Sequence, residues 1–179
     1  MRCFIASFLD EEIKKELRDA KFLEKLPPNW RKTQNQKIHL SYLFLGNNIK
    51  ESQIEQIIKN LEQIPKTLGK IQVKCSGLGA FPSPRYASVL WLGAKGNGLE
   101  ELANLIRQKM KTLSIEDTKA FVPHITIARS AKKSNLEFLI NNYKDFECKQ
   151  IWQINSFELV ESLQTSLGYV YKTIKKFEW

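Results

Sequence analysis

Histidine is the scarcest titratable residue of this 179-residue chain, which has only two. Cysteine is nearly as scarce: Cys3, Cys75 and Cys148 are odd in number, far apart and without a C-x-x-C pair, so neither a disulfide framework nor a zinc knuckle is indicated. Reduced thiols of a cytoplasmic protein are the simplest reading. No apolar run approaches the ~20 residues of a membrane span. The start, Met1 to Ala6, reaches the acidic cluster Asp10-Glu11-Glu12 too soon for a signal peptide. Acidic residues are also in deficit, 19 against 28 basic, for a formal charge of +9. Such a field attracts phosphates, nucleic acid or an anionic surface, although the short Lys132-Lys133 and Lys175-Lys176 pairs read singly as solvated charge. No Gly, Ser or Pro linker divides the chain, and its length suits one folding unit over residues 1–179.

The two histidines stand in near-copies of one tetrapeptide, His39-Leu40-Ser41-Tyr42 and His124-Ile125-Thr126-Ile127. Cys3 to Phe8 reads as a buried strand, followed by a helix that Asp10 can cap, with Ile13, Leu17, Ala20 and Leu23 at helical spacing, stopped by Leu26-Pro27-Pro28-Asn29. Ile38 to Leu45 alternates as a strand, with His39, Ser41, Leu43 and Leu45 on one face and Ile38, Leu40, Tyr42 and Phe44 on the other. Ser52 and Glu55 are spaced as a capping box for a helix buried through Ile54, Ile57, Ile58 and Leu61.

Two strands, near Lys70 to Gly77 and Tyr86 to Leu92, flank the turn-rich Gly79 to Pro84 segment. A helix follows through Leu99, Leu102, Ile106, Met110 and Leu113. Phe121 to Ala128 then repeats the histidine strand, with His124 and Thr126 on one face. Ser134 and Glu137 again have capping-box spacing, ahead of a helix with Leu136, Phe138, Leu139 and Ile140. Strands over Ile151 to Val160 and Tyr169 to Ile174 close the chain. The order predicts an α+β fold: two pseudo-symmetric lobes of antiparallel sheet, helices outside, and a central cleft.

Packed about a pseudo-two-fold axis, the two histidine strands would set an imidazole on each side of one substrate atom. That arrangement suits in-line displacement at phosphorus, because an imidazole titrating near 6.5 can take or give a proton at neutral pH. Ser41 and Thr126 could donate to the phosphoryl oxygens. A lone strand histidine is more often structural, but the repetition weighs against that. Two histidines supply too few ligands for a metal, and no nucleophile elbow marks a serine hydrolase. Arg129 falls off the His124 face by alternation, yet at a strand's end its guanidinium could turn to phosphate. Phe81 and Arg85 could flank a base or phosphate, or pack locally; Trp30 and Trp91 read as packing residues.

These residues resemble the 2H phosphoesterase superfamily, and more narrowly the bacterial and archaeal RNA 2',3'-cyclic phosphodiesterases, also called 2'-5' RNA ligases. The likeness is carried by both histidine motifs and by Arg2 to Ala6, His39 to Gly46, Gly79-Ala80-Phe81-Pro82 with Arg85, and Leu90-Trp91-Leu92-Gly93. It continues through Pro123-His124, Arg129, Ser162 and Gly168-Tyr169. The resemblance implies metal-free opening of an RNA terminal 2',3'-cyclic phosphate to a 2'-phosphate, with 2'-5' joining as the reverse chemistry; the expected enzyme uses no cofactor and acts as a monomer away from membranes. It implies that His39 is the general acid, His124 the general base, and Ser41 and Thr126 the phosphate grip. Close relatives commonly have threonine and an aliphatic residue where Ser41 and Tyr42 stand. A non-catalytic RNA-end-binding module and an enzyme of small cyclic phosphates remain as alternatives.

Overall fold

A computed structural model describes residues 1–64, 68–166 and 168–179. The elements run β1 (Cys3–Phe8), α1 (Glu11–Arg18), β2 (Arg31–Lys32), β3 (His39–Gly46), α2 (Glu51–Leu61), β4 (Ile71–Phe81), β5 (Ala87–Lys95) and α3 (Leu99–Lys111). They continue with β6 (His124–Ser134), α4 (Glu137–Asn142), β7 (Trp152–Ile154), β8 (Ser156–Thr165) and β9 (Gly168–Glu178). The strands form one sheet of order β7-β4-β5-β6-β3-β1-β8-β9, with β2 pairing β6, and every described pairing is antiparallel. With four helices beside this curled sheet, the α+β expectation agrees with the structure. No helix of the described residues is long and apolar enough to cross a membrane.

The lobes do not divide as the chain order suggests. The pair β4–β5, which follows the first histidine strand, packs its β5 against β6, while the final pair β8–β9 returns to β1. Each lobe is thus completed by strands from the other part of the chain. The lobes meet where Leu40 of β3 pairs with Ile125 of β6, the residue between histidine and hydroxyl in each motif. Beneath this junction Leu40, Ile125, Ile5 and Leu92 are fully buried, on the sheet face opposite the motif side chains.

Several local expectations shift. Ala20 and Leu23 are buried as their spacing predicts, but α1 ends at Arg18 and they flank or enter a short 3-10 helix, Lys21–Lys25. Asp10 sits at the α1 N-cap without a capping bond. The cap of α2 lies two residues earlier than predicted and is half of a capping box, with the Lys50 amide donating to Gln53 Oε1 at 2.9 Å. At α4 it is Asn135, not Ser134, that accepts from the Glu137 amide, at 2.9 Å. Phe138 points outward with 81% exposure, so only Leu136, Leu139 and Ile140 of that helix bury. β4 runs on through Gly79 to Phe81, because its pairing with β5 continues to Phe81 opposite Val89.

Candidate active site

Leu40 opposite Ile125 sets the register of the site. In an antiparallel pair it puts His39 across from Thr126 and Ser41 across from His124, all four side chains on one face. The histidines then stand at a diagonal, which in an ordinary ladder spans about 7–8 Å.

Each strand bulges immediately after its hydroxyl. Ala6 pairs with Ser41 and Ile5 with Leu43, leaving Tyr42 as the extra residue of β3. Trp91 pairs with Thr126 and Leu90 with Ala128, leaving Ile127 as the extra residue of β6. A bulge reverses alternation beyond it, so Leu43 and Ala128 join Tyr42 and Ile127 in the buried layer. Phe44 and Arg129 turn to the histidine face instead. For Phe44 this corrects the expected strand face. For Arg129 it corrects the reason: the residue lies in mid-strand, and the bulge aims it so that its Nη2 donates to Thr126 Oγ1 at 3.3 Å.

The imidazoles are held alike. His39 Nδ1 donates to the Lys37 carbonyl at 2.6 Å, and His124 Nδ1 donates to the Val122 carbonyl at 2.7 Å. A carbonyl only accepts, so both neutral rings carry their proton on Nδ1 and keep an Nε2 lone pair. Ser41 Oγ donates to that lone pair of His39 at 3.0 Å. Burial lowers the His39 pKa to about 4, with the Lys37 carbonyl opposing and the charges of Arg129 and His124 adding to the drop. His124 is also lowered, by burial first and by Arg129 second, against the pull of the Val122 carbonyl.

Aromatic rings wall both histidines. Phe4 and Phe8 lie 5.1 and 5.5 Å from His39 between ring centroids, and Tyr171 stands edge-on at 5.5 Å. Phe81 is edge-on to His124 at 5.0 Å, with Trp91 behind it at 6.2 Å. Trp91 lies flat over Gly79, where any β-carbon would sit 2.1 Å from the indole. Trp30 is the packing residue expected, buried and donating to Ser134 Oγ at 3.2 Å. Arg85 is exposed on the short turn Pro84–Tyr86, and no described hydrogen bond joins it to the motif side chains. A cavity of about 480 Å³ adjoins the motifs, lined by Ser41, Phe81, Arg107, Lys119, Phe121 and His124 among others. A larger one, about 740 Å³, lies against Trp91 and Gly93 and contains no motif histidine or hydroxyl.

The reading of the sequence missed Tyr171, which reaches His39 only because β9 returns to the first lobe. It also missed Arg31, which opposes Arg129 directly across β2 and β6. Two like charges facing each other are unfavourable unless an anion joins them. Among the described residues no three of His, Cys, Asp and Glu gather as metal ligands would. The arrangement therefore offers two neutral imidazoles, two hydroxyls and a guanidinium on one sheet face. Those are groups suited to proton transfer beside a bound oxyanion.

Comparison with known proteins accords with this geometry. Over 174 residues the chain is 34% identical to an RNA 2',3'-cyclic phosphodiesterase of Aquifex aeolicus, covering 93% of this chain and 87% of that protein. It is 32% identical to the protein of that name from Methanocaldococcus jannaschii, over the full length of both. A crystal structure of a Thermus thermophilus protein superposes with a TM-score of 0.86 at 26% identity, covering 99% of this chain and 97% of that one. E. coli LigT, solved with 3'-AMP, shares the fold at a TM-score of 0.76 and 20% identity, covering 99% and 97% of the two chains. The sequence model of the 2'-5' RNA ligase superfamily matches residues 9–165, and the chain belongs to that superfamily, a group of 2H phosphoesterases.

Proposed function

We propose that this protein opens the terminal 2',3'-cyclic phosphate of RNA to a 2'-phosphate by two-histidine acid–base catalysis, as a single domain over residues 1–179. The observation that carries the reading is the Leu40–Ile125 register, which sets both motif pairs on one sheet face. Full-length relatives named RNA 2',3'-cyclic phosphodiesterase support the choice of substrate.

In the proposed reaction His124 Nε2 takes a proton from water as its oxygen attacks phosphorus. The bond from phosphorus to the ribose 3'-oxygen breaks, and protonated His39 Nε2 gives that oxygen its proton. The Ser41 hydroxyl, released from His39, joins Thr126 and Arg129 on the non-bridging oxygens, whose charge grows in the transition state. Hydroxyls and a guanidinium supply this stabilisation, so no step needs a metal or cofactor. A 5'-hydroxyl in place of water, losing its proton to His124 as His39 protonates the departing 3'-oxygen, yields a 2'-5' linkage, and cleavage of that linkage by the 3'-hydroxyl exchanges the roles of the two histidines. The continuous sheet supports the one-domain reading, and three unpaired buried thiols support a reducing, cytoplasmic setting.

The purified protein, in EDTA, should convert a 2',3'-cyclic-phosphate oligoribonucleotide to the 2'-phosphate. His39→Ala and His124→Ala should each lower kcat by about 100-fold or more. An active double variant overturns the mechanism. Salt-sensitive RNA binding without turnover would identify an end-binding module instead, and turnover confined to cyclic mononucleotides a small-molecule phosphoesterase.

A further inference from the structure

We propose that the His39 lobe carries a single-stranded RNA track, in which Arg2, Phe44 and Tyr169 receive bases upstream of the reacting nucleotide. The inference rests on the phosphodiesterase reading, which fixes the direction of the strand. The 3'-oxygen that His39 would protonate stays on the ribose, and the ribose stays bonded through its 5'-oxygen to the rest of the RNA. The polymer therefore leaves the site on the His39 side, and water approaches from the His124 side.

The sheet face on that side is built for such a guest. Ser41, Phe44, Phe4, Ser162 and Tyr171 all turn to it by the registers of β3, β1, β8 and β9. Phe4, Ala6 and Val160 form a small buried cluster on this face, separate from the main core, with Phe8 and Tyr171 packed on it. Outward from His39 the surface becomes stacked and open. The Arg2 guanidinium lies 4.5 Å above the Phe44 ring and 5.4 Å from the Tyr169 ring, and its edge donates to Asn47 Oδ1. Phe44 is 39% and Tyr169 43% exposed, whereas Trp152, Tyr42, Phe22 and Phe157 are buried in the main core.

Exposed rings gathered about one fixed cation on a sheet suit stacked bases and a polyanionic backbone. Continuity with the reaction centre comes from Tyr171: it is edge-on to His39, and the charges of Arg129 in the cleft and Arg2 on the rim both act on its hydroxyl. The net charge of +9 adds long-range attraction for the strand.

The test compares an adenylate octamer ending in a 2',3'-cyclic phosphate with 2',3'-cyclic AMP. In Tyr169→Ala and Arg2→Gln, the ratio of octamer to mononucleotide kcat/KM should fall about ten-fold, while Tyr169→Phe keeps it within about two-fold of wild type. Anisotropy of a dye-labelled octamer with a 3'-hydroxyl end should show the same loss of affinity with no chemistry involved. Equal falls on both substrates, or unchanged octamer binding, overturn the track. If the wild-type protein opens neither substrate, the phosphodiesterase reading fails, and the anisotropy series alone decides whether the surface binds RNA.

Discussion

In both motif histidines Nδ1 is engaged by a backbone carbonyl, which leaves Nε2 as the nitrogen open to the proposed proton transfer. Burial depresses both rings, His39 to about 4, and Arg129 depresses both further. The consequence for rate has a definite sign. In the proposed mechanism the base must be neutral, which requires a pH above the His124 pKa, and the acid must be protonated, which requires a pH below that of His39. Both limbs of the kcat/KM profile then fall on the acid side of the ordinary histidine value of about 6.5. The competent protonation state is a minority form at neutral pH. A profile measured from acid to alkaline pH should therefore peak below about 6.5. In Arg129→Gln both limbs should move up, since a cation that disfavours imidazolium is gone. An acid limb at or above the ordinary value would contradict the burial of these rings.

At the scale of elements, the paired bulges decide which residues meet. Simple alternation identified His39 with Ser41 and His124 with Thr126, because those pairs precede the extra residues Tyr42 and Ile127. Beyond that point it failed for Phe44 and Arg129, since nothing in a run such as Ser41-Tyr42-Leu43-Phe44 marks where one residue goes unpaired. Tyr42 was legible as a core residue, being 2% exposed with its hydroxyl donating to Ser7 Oγ at 2.9 Å, but that partner lies on another strand. The helices were legible through their apolar spacing, and their caps were not, because several polar residues near each start could serve.

Gly79 shows a constraint of the same long-range kind. Its missing side chain lets the Trp91 indole lie against the backbone of β4, and the indole in turn backs Phe81 and His124. A methyl group there would collide with the ring, so Gly79→Ala should destabilise the protein by about 1–3 kcal/mol in urea unfolding. It should also shift the tryptophan emission, as Trp91 leaves its place. Unchanged stability and emission would show that the ring is free to move.

Over the whole molecule, the exchange of strand pairs between lobes is what sequence order concealed. Repetition of strand, helix, histidine strand and helix identified two related parts, yet pairing across more than 150 residues, as between Phe4 and Val160, leaves no local pattern to read. This topology makes the N-terminal strand depend on the C-terminal hairpin. β1 lies between β3 and β8, and Phe157, Leu159 and Val160 of β8 with Phe177 of β9 are buried. Burying such side chains contributes about 1.5–3 kcal/mol each, so the four together approach the 5–15 kcal/mol of a typical domain. A chain ending at Asn155 should consequently show no cooperative urea transition by circular dichroism, even though it keeps both histidine motifs. Were it to unfold cooperatively with near-native stability, β1 and β3 would need no support from the returning hairpin, and the two lobes would be energetically separable.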